Sequence, residues 1–469
     1  MNTRNAPGAL RELQSACPDV EISTEPAVLE SHGLDWTRFR DPAPLAVAFP
    51  RKLEDVQALV RHACGAGLAI VPSGGRTGLS GGAVAAGGEL VVSFDRMRQM
   101  LEFDPVDASI RVEAGMTTGA VQEFAAANDL YYPVSFASEG TSQIGGNIAT
   151  NAGGIRVLRH GLTRERVTGL KVVTGTGAVL ECNRGLIKNA SGYDLRHLFI
   201  GSEGTLGLIV EATLRLERRP PPGKVMLLGL TGLDALMNVF SDLRRTVALS
   251  AFEFLTDKAL AHVCAGHELS RPLETECPLY VVAEFDCPGD EAEEAALASF
   301  ERGVERGWLA DGIIAQSAAQ NAELWRYREG ISESITALRP YKNDLSVRIS
   351  RVPEFLQRMD ALVAEIASDY EVVWYGHIGD GNLHMNIIGP EGLGPDEFEA
   401  RCHEISNRTY ALTEEMGGSI SAEHGLGLLK SPWLGRARSA AEIEAMRAIK
   451  RVFDPAGILN PGKLFPNDG

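Results

Sequence analysis

The sequence has few cysteines, no long apolar run and fewer basic than acidic residues, and each shortage excludes a class of protein. Its seven cysteines are scattered over 469 residues without a C-x-x-C motif, which argues against an iron–sulfur cluster or a cysteine zinc site and favours a reducing, cytoplasmic setting. No apolar run reaches the roughly 20 residues of a transmembrane helix, and the N-terminus lacks the features of a secretory signal. The formal net charge of -17 should repel nucleic acid and anionic membranes. An anionic ligand would therefore need a local basic patch.

The chain is too long for one ordinary core, and its character changes along its length. Residues 1–40 predict a short helical lead and a connector. Residues 41–219 are rich in glycine and begin with a strand–helix–strand pattern, and three prolines at 220–222 indicate a boundary. Residues 220–420 alternate strands with helical stretches, which is typical of an α+β domain built on an antiparallel sheet. Residues 421–469 return to glycine-rich signals.

Three glycine-rich segments lie within 150 residues: VPSGGRTGLSGG (71–82), SEGTSQIGGNIATNAGG (138–154) and IGSEGTLGLIVEATL (200–214). One such segment could be an ordinary surface loop. Three of them, with many backbone amides and small hydroxyls, indicate a long phosphate-bearing ligand such as a dinucleotide cofactor. An NAD-dependent enzyme has no support, because no G-x-G-x-x-G follows a strand with an acidic residue about 20 positions on.

The stretch YGHIGDGNLHMNI (375–387) predicts a hairpin with its turn at Asp380-Gly381. Pairing outward from that turn places His377 opposite His384, with Tyr375 and Asn386 on the same face. Two imidazoles on one face could hold a metal ion, or they could be a stacked or hydrogen-bonded pair on an exposed sheet.

A third ligand could come from SAEHG (421–425), which offers Glu423 and His424. On an extended strand these neighbours would point in opposite directions, so we do not expect both to bind one ion. Two histidines, one carboxylate and an open position form a catalytic zinc pattern.

These segments carry a family resemblance. VPSGGRTGLSGG, IGGNIATNAGG, NASGYDLRHLFIGSEGTLG and GILNPGK resemble the FAD-binding fold of the vanillyl-alcohol oxidase superfamily, and GHIGDGNLH with SAEHGLG narrows the resemblance to the FAD-linked D-2-hydroxy-acid dehydrogenases. The resemblance covers about residues 41 to 466. It implies an α+β protein with a vanillyl-alcohol-oxidase-type FAD-binding domain (41–219), an antiparallel-sheet substrate or cap domain (220–420) and a C-terminal helical segment (421–469) that returns to the FAD domain and completes the active site.

The resemblance also implies which residues hold the cofactor. The first loop and the GGN segment bind the FAD pyrophosphate in that family, the GSEGTLG strand lies along the cofactor, and Asn460 reaches the flavin region. The binding is expected to be non-covalent, because neither of the first two segments contains a histidine. The expected cofactor-binding residues are Pro72, Ser73, Gly74, Gly75, Arg76, Thr77, Gly78, Ser80, Ser138, Gly140, Thr141, Gly145, Gly146, Asn147, Thr150, Asn151, Gly154, Glu203, Gly204, Gly207, Ile209 and Asn460.

For catalysis, the resemblance implies that His377, His384 and Glu423 bind one divalent ion and that His424 is the general base. Zinc is the favoured ion, with manganese, cobalt and iron also compatible. The ion would acidify the hydroxyl of a 2-hydroxy acid, and the flavin would accept the hydride. Asp380 is expected to be a turn residue, and Asn386 is expected to hydrogen-bond the substrate.

The substrate pattern lies in a basic stretch, 325–351. D-2-hydroxyglutarate dehydrogenases share a pattern of an Arg, a Thr four residues later and a Lys directly after a Tyr. The matching residues in this sequence are Arg328, Ser332 and Lys342, with Ser in place of Thr. Arg326 and Arg339 are interpreted as solvated surface. An arginine, a lysine and a metal suit a dicarboxylate, so D-2-hydroxyglutarate and D-malate are the leading substrates.

The alternative substrates are D-lactate and glycolate, which have no need of Lys342. Two other classes are a flavin-binding electron carrier without its own substrate and a zinc-stabilised interaction protein. The resemblance implies an electron-transfer flavoprotein as electron acceptor. We expect no nucleic-acid partner and no membrane span, and a homodimer is one option for the assembly.

Overall fold

The computed structural model describes residues 6–466, and the chain divides into two compact units. Within those residues, unit 1 comprises the chain up to Gly154, Gly161–Arg219 and the chain from Glu423, whereas unit 2 comprises Ile155–His160 and Pro220–Ala422. Residues 1–5 of the predicted N-terminal lead and residues 467–469 of the predicted C-terminal segment lie outside the described residues. None of the helices within 6–466 has the length and apolarity needed to cross a bilayer.

The described strands are β1 Glu21–Ser23, β2 Ala46–Phe49, β3 Ile70–Ser73, β4 Leu90–Ser93, β5 Met100–Asp104, β6 Ser109–Glu113, β7 Leu130–Tyr131, β8 Val167–Thr174, β9 Val179–Cys182, β10 Gly207–Arg215, β11 Glu217–Arg218, β12 Gly223–Leu230, β13 Leu249–Thr256, β14 Leu279–Asp286, β15 Leu309–Ile314, β16 Tyr341–Ser346, β17 Glu371–His377 and β18 Asn382–Ile388.

The described α-helices are α1 Ala6–Ala16, α2 Pro26–His32, α3 Leu53–Ala66, α4 Thr118–Ala127, α5 Ile144–Thr150, α6 Val157–His160, α7 Arg196–Phe199, α8 Leu233–Thr246, α9 Asp257–Gly266, α10 Asp290–Glu305, α11 Ala318–Glu329, α12 Ile331–Ser334, α13 Val352–Ile366, α14 Pro395–Glu415, α15 Leu434–Ala437 and α16 Ala440–Phe453.

Unit 1 contains two main sheets. One has four strands in the order β1-β2-β4-β3, in which β2, β4 and β3 run parallel; the other has five antiparallel strands in the order β5-β6-β10-β8-β9. The predicted strand–helix–strand unit is β2-α3-β3. Its helix buries Val56, Leu59, Val60 and Ala63, which recur at helical spacing and pack in the core of unit 1.

The C-terminal helical segment expected from the sequence is α16 in unit 1. Ser439 caps it: its Oγ accepts the backbone N–H of Glu442, and the Glu442 carboxylate accepts the backbone N–H of Ser439. This reciprocal pair is the capping box, which satisfies two donors that a helix start leaves unpaired.

Unit 2 is built on a seven-stranded sheet in the order β15-β12-β14-β13-β17-β18-β16, with every neighbouring pair antiparallel. The antiparallel α+β architecture expected for this part of the chain is therefore confirmed. The strands β12, β13, β14, β17 and β18 are buried along nearly their whole length, because helices cover the sheet.

The predicted register of the β17–β18 hairpin is wrong by two residues. His377 pairs with Asn382 and Tyr375 pairs with His384, so the connection has four residues instead of two. The loop closes because the N–H of Gly381 (φ 86°) donates to the His377 carbonyl at 3.0 Å, a conformation that glycine adopts without strain. A shift of two keeps every side chain on its face, so Tyr375, His377 and His384 still share one.

A six-residue excursion from the middle of the first predicted domain belongs to unit 2. Within Ile155–His160, Arg156 makes two hydrogen bonds to the buried carboxylate of Glu284, at 3.0 and 3.1 Å, and Arg159 bonds Asp286 at 2.8 Å. Ser250 and Trp325 complete the partners of Glu284. The chain thus passes between the units after Gly154, His160, Arg219 and Ala422.

Candidate functional site

The glycine-rich segments of unit 1 enclose a cavity of about 150 Å³. The first segment begins in β3, the second contains α5, and the third runs into β10. Of the residues expected to bind the cofactor, those that line this cavity are Pro72, Ser73, Gly74, Gly75, Arg76, Thr77, Gly78, Ser80, Gly145, Gly146, Asn147, Thr150, Glu203, Gly204, Gly207, Ile209 and Asn460.

Five expected cofactor residues do not line the cavity: Ser138, Gly140, Thr141, Asn151 and Gly154. Several of them shape the loops. A Cβ on Gly75 would stand 2.2 Å from the carbonyl oxygen of Thr141, so the two segments touch backbone to backbone and only glycine fits there. Asn151 ends α5 in the left-handed region at φ 52°.

The sequence reasoning missed several lining residues, namely Gly82, Ala83, Phe94, Ala114, Gln143, Ala149 and Leu208. Gln143 and Ala149 lie inside the second glycine-rich segment, 138–154, so that motif is a sufficient signal for them. Phe94 and Ala114 follow ordinary core strands, and no local pattern marks them.

Asn460 and Glu203 hold the walls of the cavity in place. The Asn460 amide donates to the carbonyl oxygens of Gly82 at 3.1 Å and Glu203 at 2.7 Å. The buried Glu203 carboxylate accepts the N–H groups of Leu426 at 2.9 Å and Gly427 at 2.7 Å. Burial raises the pKa of Glu203 above its ordinary value, and these two bonds offset that rise in part.

His424, the predicted base, lines the same cavity. The expectation that Glu423 and His424 point in opposite directions assumed an extended strand, and it is wrong. The segment is a series of bends, and Glu423 Oε1 lies 3.6 Å from His424 Nε2.

The predicted histidine pair lies in unit 2, on a polar face of the sheet. Directly opposed residues of antiparallel strands share a face. Lys342 pairs with Asn386 and Asp344 pairs with His384, while His384 pairs with Tyr375, so β16, β18 and β17 contribute to one surface. The polar face comprises Glu253, Lys342, Asp344, Tyr375, His377, His384 and Asn386.

Both histidines are buried, at 7% exposure for His377 and 8% for His384, so they are not a pair on an exposed sheet. Their ring centroids are 5.2 Å apart and their planes are nearly perpendicular, at 83°. Each has a buried carboxylate beside its Nδ1: Glu253 Oε2 lies 2.8 Å from His377, and Asp344 Oδ1 lies 3.8 Å from His384. A carboxylate as close to Nδ1 as Glu253 is to His377 commonly orients a metal-binding imidazole.

Sequence reasoning missed both carboxylates. Asp344 also accepts the Asn382 amide at 2.8 Å and the backbone N–H of Ala422 at 3.0 Å. Glu253 belongs to β13, a strand that the sequence reasoning did not single out. A lone acidic residue inside the apolar run SAFEFL was the available signal, since a carboxylate is rarely buried without a partner.

The three predicted substrate residues also belong to unit 2. Lys342 Nζ donates to Ser332 Oγ at 3.0 Å, and burial lowers the pKa of Lys342. Arg328 is buried; its guanidinium lies 2.9 Å from Glu253 Oε2 and 4.8 Å above the ring of Tyr375.

The remaining predicted positions fall as follows. Arg326 and Arg339 are exposed, as expected. The Asn386 amide is buried and donates to the Val373 carbonyl at 3.4 Å. Asp380 Oδ1 accepts the N–H of Asn382 at 3.1 Å, which confirms Asp380 as a turn residue.

Comparison with known proteins gives matches over nearly the whole chain. Residues 44–183 match the family model described as FAD binding domain, and residues 219–464 match that described as FAD linked oxidases, C-terminal domain. The chain is 56% identical over 454 residues to a D-2-hydroxyglutarate dehydrogenase of Xanthomonas citri pv. viticola, covering 97% of this chain and 96% of that protein. It is 51% identical over 459 residues to a D-2-hydroxyglutarate dehydrogenase of Stutzerimonas stutzeri, covering 98% and 99%. The solved structure of p-cresol methylhydroxylase is similar in fold, with a TM-score of 0.76, 15% identity and coverage of 100% and 98%.

Proposed function

Because the chain belongs to the FAD-linked D-2-hydroxy-acid dehydrogenases, we propose that it oxidises D-2-hydroxyglutarate to the 2-oxo acid, with D-malate as a second substrate. The protein is an FAD-dependent oxidoreductase with a vanillyl-alcohol-oxidase-type fold. The observation that carries the substrate proposal is the polar face of unit 2, where a half-buried lysine and two buried histidines project from the same side of three adjacent strands.

The cavity of unit 1 suits the phosphate-bearing part of FAD. Its walls are mostly backbone and small side chains, and backbone N–H groups in such loops bind phosphate oxygens. Apart from its chain neighbours and the backbone of its own helix, no atom lies within 4 Å of the position where a Cβ on Gly146 would stand, so that stretch of wall leaves room for a ligand. When bound, FAD supplies the acceptor for the hydride of the substrate.

We assign residues 41–219 to the FAD domain, 220–420 to the substrate domain and 421–469 to a segment that completes the active site.

We propose His377, His384 and Glu423 as the ligands of one divalent ion, with zinc favoured by two nitrogens and one oxygen. The burial of both imidazoles and the carboxylate of Glu253, 2.8 Å from His377 Nδ1, support this assignment. A divalent ion at this position would acidify the substrate hydroxyl.

The chain's own residues then bind the substrate and remove its proton. His424 accepts the hydroxyl proton on an imidazole nitrogen, since imidazole exchanges protons near neutral pH. Arg328 and Lys342 bind carboxylate, Arg328 through its planar guanidinium and Lys342 as a point charge. Ser332, where the family pattern has threonine, and Asn386 supply neutral polar contacts. The serine lacks one methyl group, which should widen the site and broaden specificity.

The first test is a substrate panel on metal-replete protein with an artificial dye as electron acceptor. We expect the highest kcat/KM with D-2-hydroxyglutarate and little activity with its L enantiomer. A preference for D-lactate or glycolate would support the monocarboxylate alternative instead. Equal activity with the L enantiomer, or none with any 2-hydroxy acid, would contradict the proposal.

The second test is removal of the metal. Dialysis against a chelator should abolish activity while the flavin absorbance at about 450 nm is retained, and added zinc should restore activity. Activity that survives complete metal removal would refute the role of the ion. A colourless protein would instead favour a zinc-stabilised interaction protein.

The electron acceptor and compartment are proposed on more general grounds. We propose an electron-transfer flavoprotein as acceptor, as in the family that the motifs resemble, and the cytoplasm as the compartment. All seven cysteines are free, which is compatible with a reducing environment. Reduction of a purified electron-transfer flavoprotein by the substrate-treated enzyme would test the first assignment.

A further inference from the structure

Glu253 is a buried acid whose position is not explained by the core around it. It lies in β13 between Phe252 and Phe254, with 1% of its surface exposed. An ionised carboxylate that is buried among apolar side chains destabilises the fold unless close partners compensate for the water it has lost. Its close partners therefore indicate its role.

Two functional side chains meet at one oxygen of Glu253. Its Oε2 lies 2.9 Å from Arg328 and 2.8 Å from His377 Nδ1. The sheet brings about the second contact: β13 pairs with β17 through Phe254↔Gly376 and Leu255↔Tyr375, and the same register, continued by one residue, sets Glu253 opposite His377. The first contact comes from the last turn of α11.

We propose that Glu253 is a positioning residue that fixes Arg328 and His377 relative to each other. This inference rests on the proposed function, in which Arg328 binds a substrate carboxylate and His377 binds the ion. A carboxylate at Nδ1 directs the other ring nitrogen, Nε2, toward the metal and holds the plane of the imidazole. The same oxygen restrains the arginine fork, which also stacks on Tyr375. The metal site and the substrate-carboxylate site are therefore coupled through one side chain.

This coupling predicts that one substitution weakens two different ligands. Glu253→Gln keeps the size of the side chain but removes its charge, so Arg328 and His377 both lose the carboxylate that they share. If Glu253 only supported the fold, this substitution would lower stability and leave the metal affinity of correctly folded protein unchanged.

Unit 2 offers a matched control in Glu284. It is also a buried glutamate, lies on the neighbouring strand β14 and pairs with an arginine, Arg156. Its carboxylate accepts hydrogen bonds from Arg156, Ser250 and Trp325, none of which has a role in the proposed site. Glu284→Gln should therefore destabilise unit 2 without changing ligand affinity.

The experiment uses flavin-loaded full-length protein and Zn²⁺ in competition with a chromophoric chelator, followed by dye-coupled kinetics with D-2-hydroxyglutarate. We expect E253Q to weaken Zn²⁺ binding about 10- to 100-fold, the range for loss of a carboxylate behind a metal-binding histidine, and to raise KM. E284Q should bind Zn²⁺ within about twofold of the unsubstituted protein, although its melting temperature falls. Glu253→Asp should recover part of both losses, because it keeps the charge at a longer distance.

Each outcome separates the inference from the proposal beneath it. If E253Q folds with its flavin and binds Zn²⁺ as tightly as the unsubstituted protein, the role of Glu253 is refuted and the proposed function stands. If E253Q does not fold, E253D carries the test, and an unchanged Zn²⁺ affinity there refutes the role equally. An unsubstituted protein that binds no Zn²⁺ overturns both. A protein whose Zn²⁺ affinity depends on Glu253 but which does not oxidise D-2-hydroxyglutarate overturns only the assigned reaction.

Discussion

Replacing Lys342 by methionine should remove most of the activity on a dicarboxylate and spare the activity on a monocarboxylate. Methionine keeps the unbranched apolar stem of lysine and lacks the ammonium, with its charge and its hydrogen-bond donors. The ammonium of Lys342 donates to the neutral hydroxyl of Ser332, and among the described residues it makes no ion pair. Its charge is therefore available to the distal carboxylate of D-2-hydroxyglutarate.

The magnitude follows from the environment of the ammonium. A hydrogen bond to a charged group in a partly buried site contributes about 1.5–3 kcal/mol. At about 1.4 kcal/mol per factor of ten, K342M should lower kcat/KM for D-2-hydroxyglutarate by roughly 10- to 150-fold. D-Lactate has no second carboxylate, so its kcat/KM should change by less than about threefold on the same reasoning.

The assay is dye-coupled steady-state kinetics with both substrates, and the quantity compared is the ratio of the two kcat/KM values. Arg326→Met is the matched control, because Arg326 is a basic residue of the same stretch that is exposed on α11; it should leave the ratio unchanged. A proportional fall with both substrates in K342M would refute the role of Lys342 in recognising a second carboxylate.

Three further predictions concern pH, stability and cofactor retention. Because burial lowers the pKa of Lys342, KM for D-2-hydroxyglutarate should rise as the pH increases toward the ordinary lysine range of about 10.4, whereas KM for D-lactate should not; parallel profiles would count against the idea. Arg156→Ala should cost about 3–5 kcal/mol in urea unfolding at neutral pH, since it leaves the buried Glu284 charge uncompensated. Burial acts to raise the pKa of Glu284, but Arg156 and the hydrogen bonds from Ser250 and Trp325 lower it overall. The stabilisation by Arg156 is therefore present above pH 4.5 and is lost as the pH falls through the lowered pKa. Equal unfolding free energies for the R156A variant and the unsubstituted protein at pH 7 would refute this role of Arg156. Asn460→Ala should lower the flavin absorbance per protein after gel filtration, because it removes both hydrogen bonds that join two cavity loops; full retention of flavin would show that the loops hold without it.

Much of the fold could be predicted because local patterns and tertiary packing agree. The strand–helix–strand start of unit 1 shows apolar residues at helical spacing between two β-branched runs, and it folds as β2-α3-β3. The hairpin was visible from Asp380-Gly381, but its register was not, because the four-residue loop depends on the hydrogen bond from Gly381 to His377.

The missed elements have physical causes too. The segment YKNDLS is strand β16, although lysine, asparagine and aspartate have low strand propensity. It contributes Lys342 and Asp344 to the polar face, and functional faces are where local patterning is expected to fail. Glu253 could not be placed without the pairing of β13 with β17. The excursion at 155–160 is too short to carry a boundary signal of its own.

The interleaved path of the chain sets a rule for building chimeras from relatives. A crossover at residue 219 would take Arg156 from one parent and Glu284 from the other, and it would separate Glu203 from the Asn460 amide that bonds its carbonyl. Neither half would then carry a complete set of its own partners. Recombination of these enzymes would have to exchange the short piece at 155–160 and the tail from 423 together with the units to which they belong.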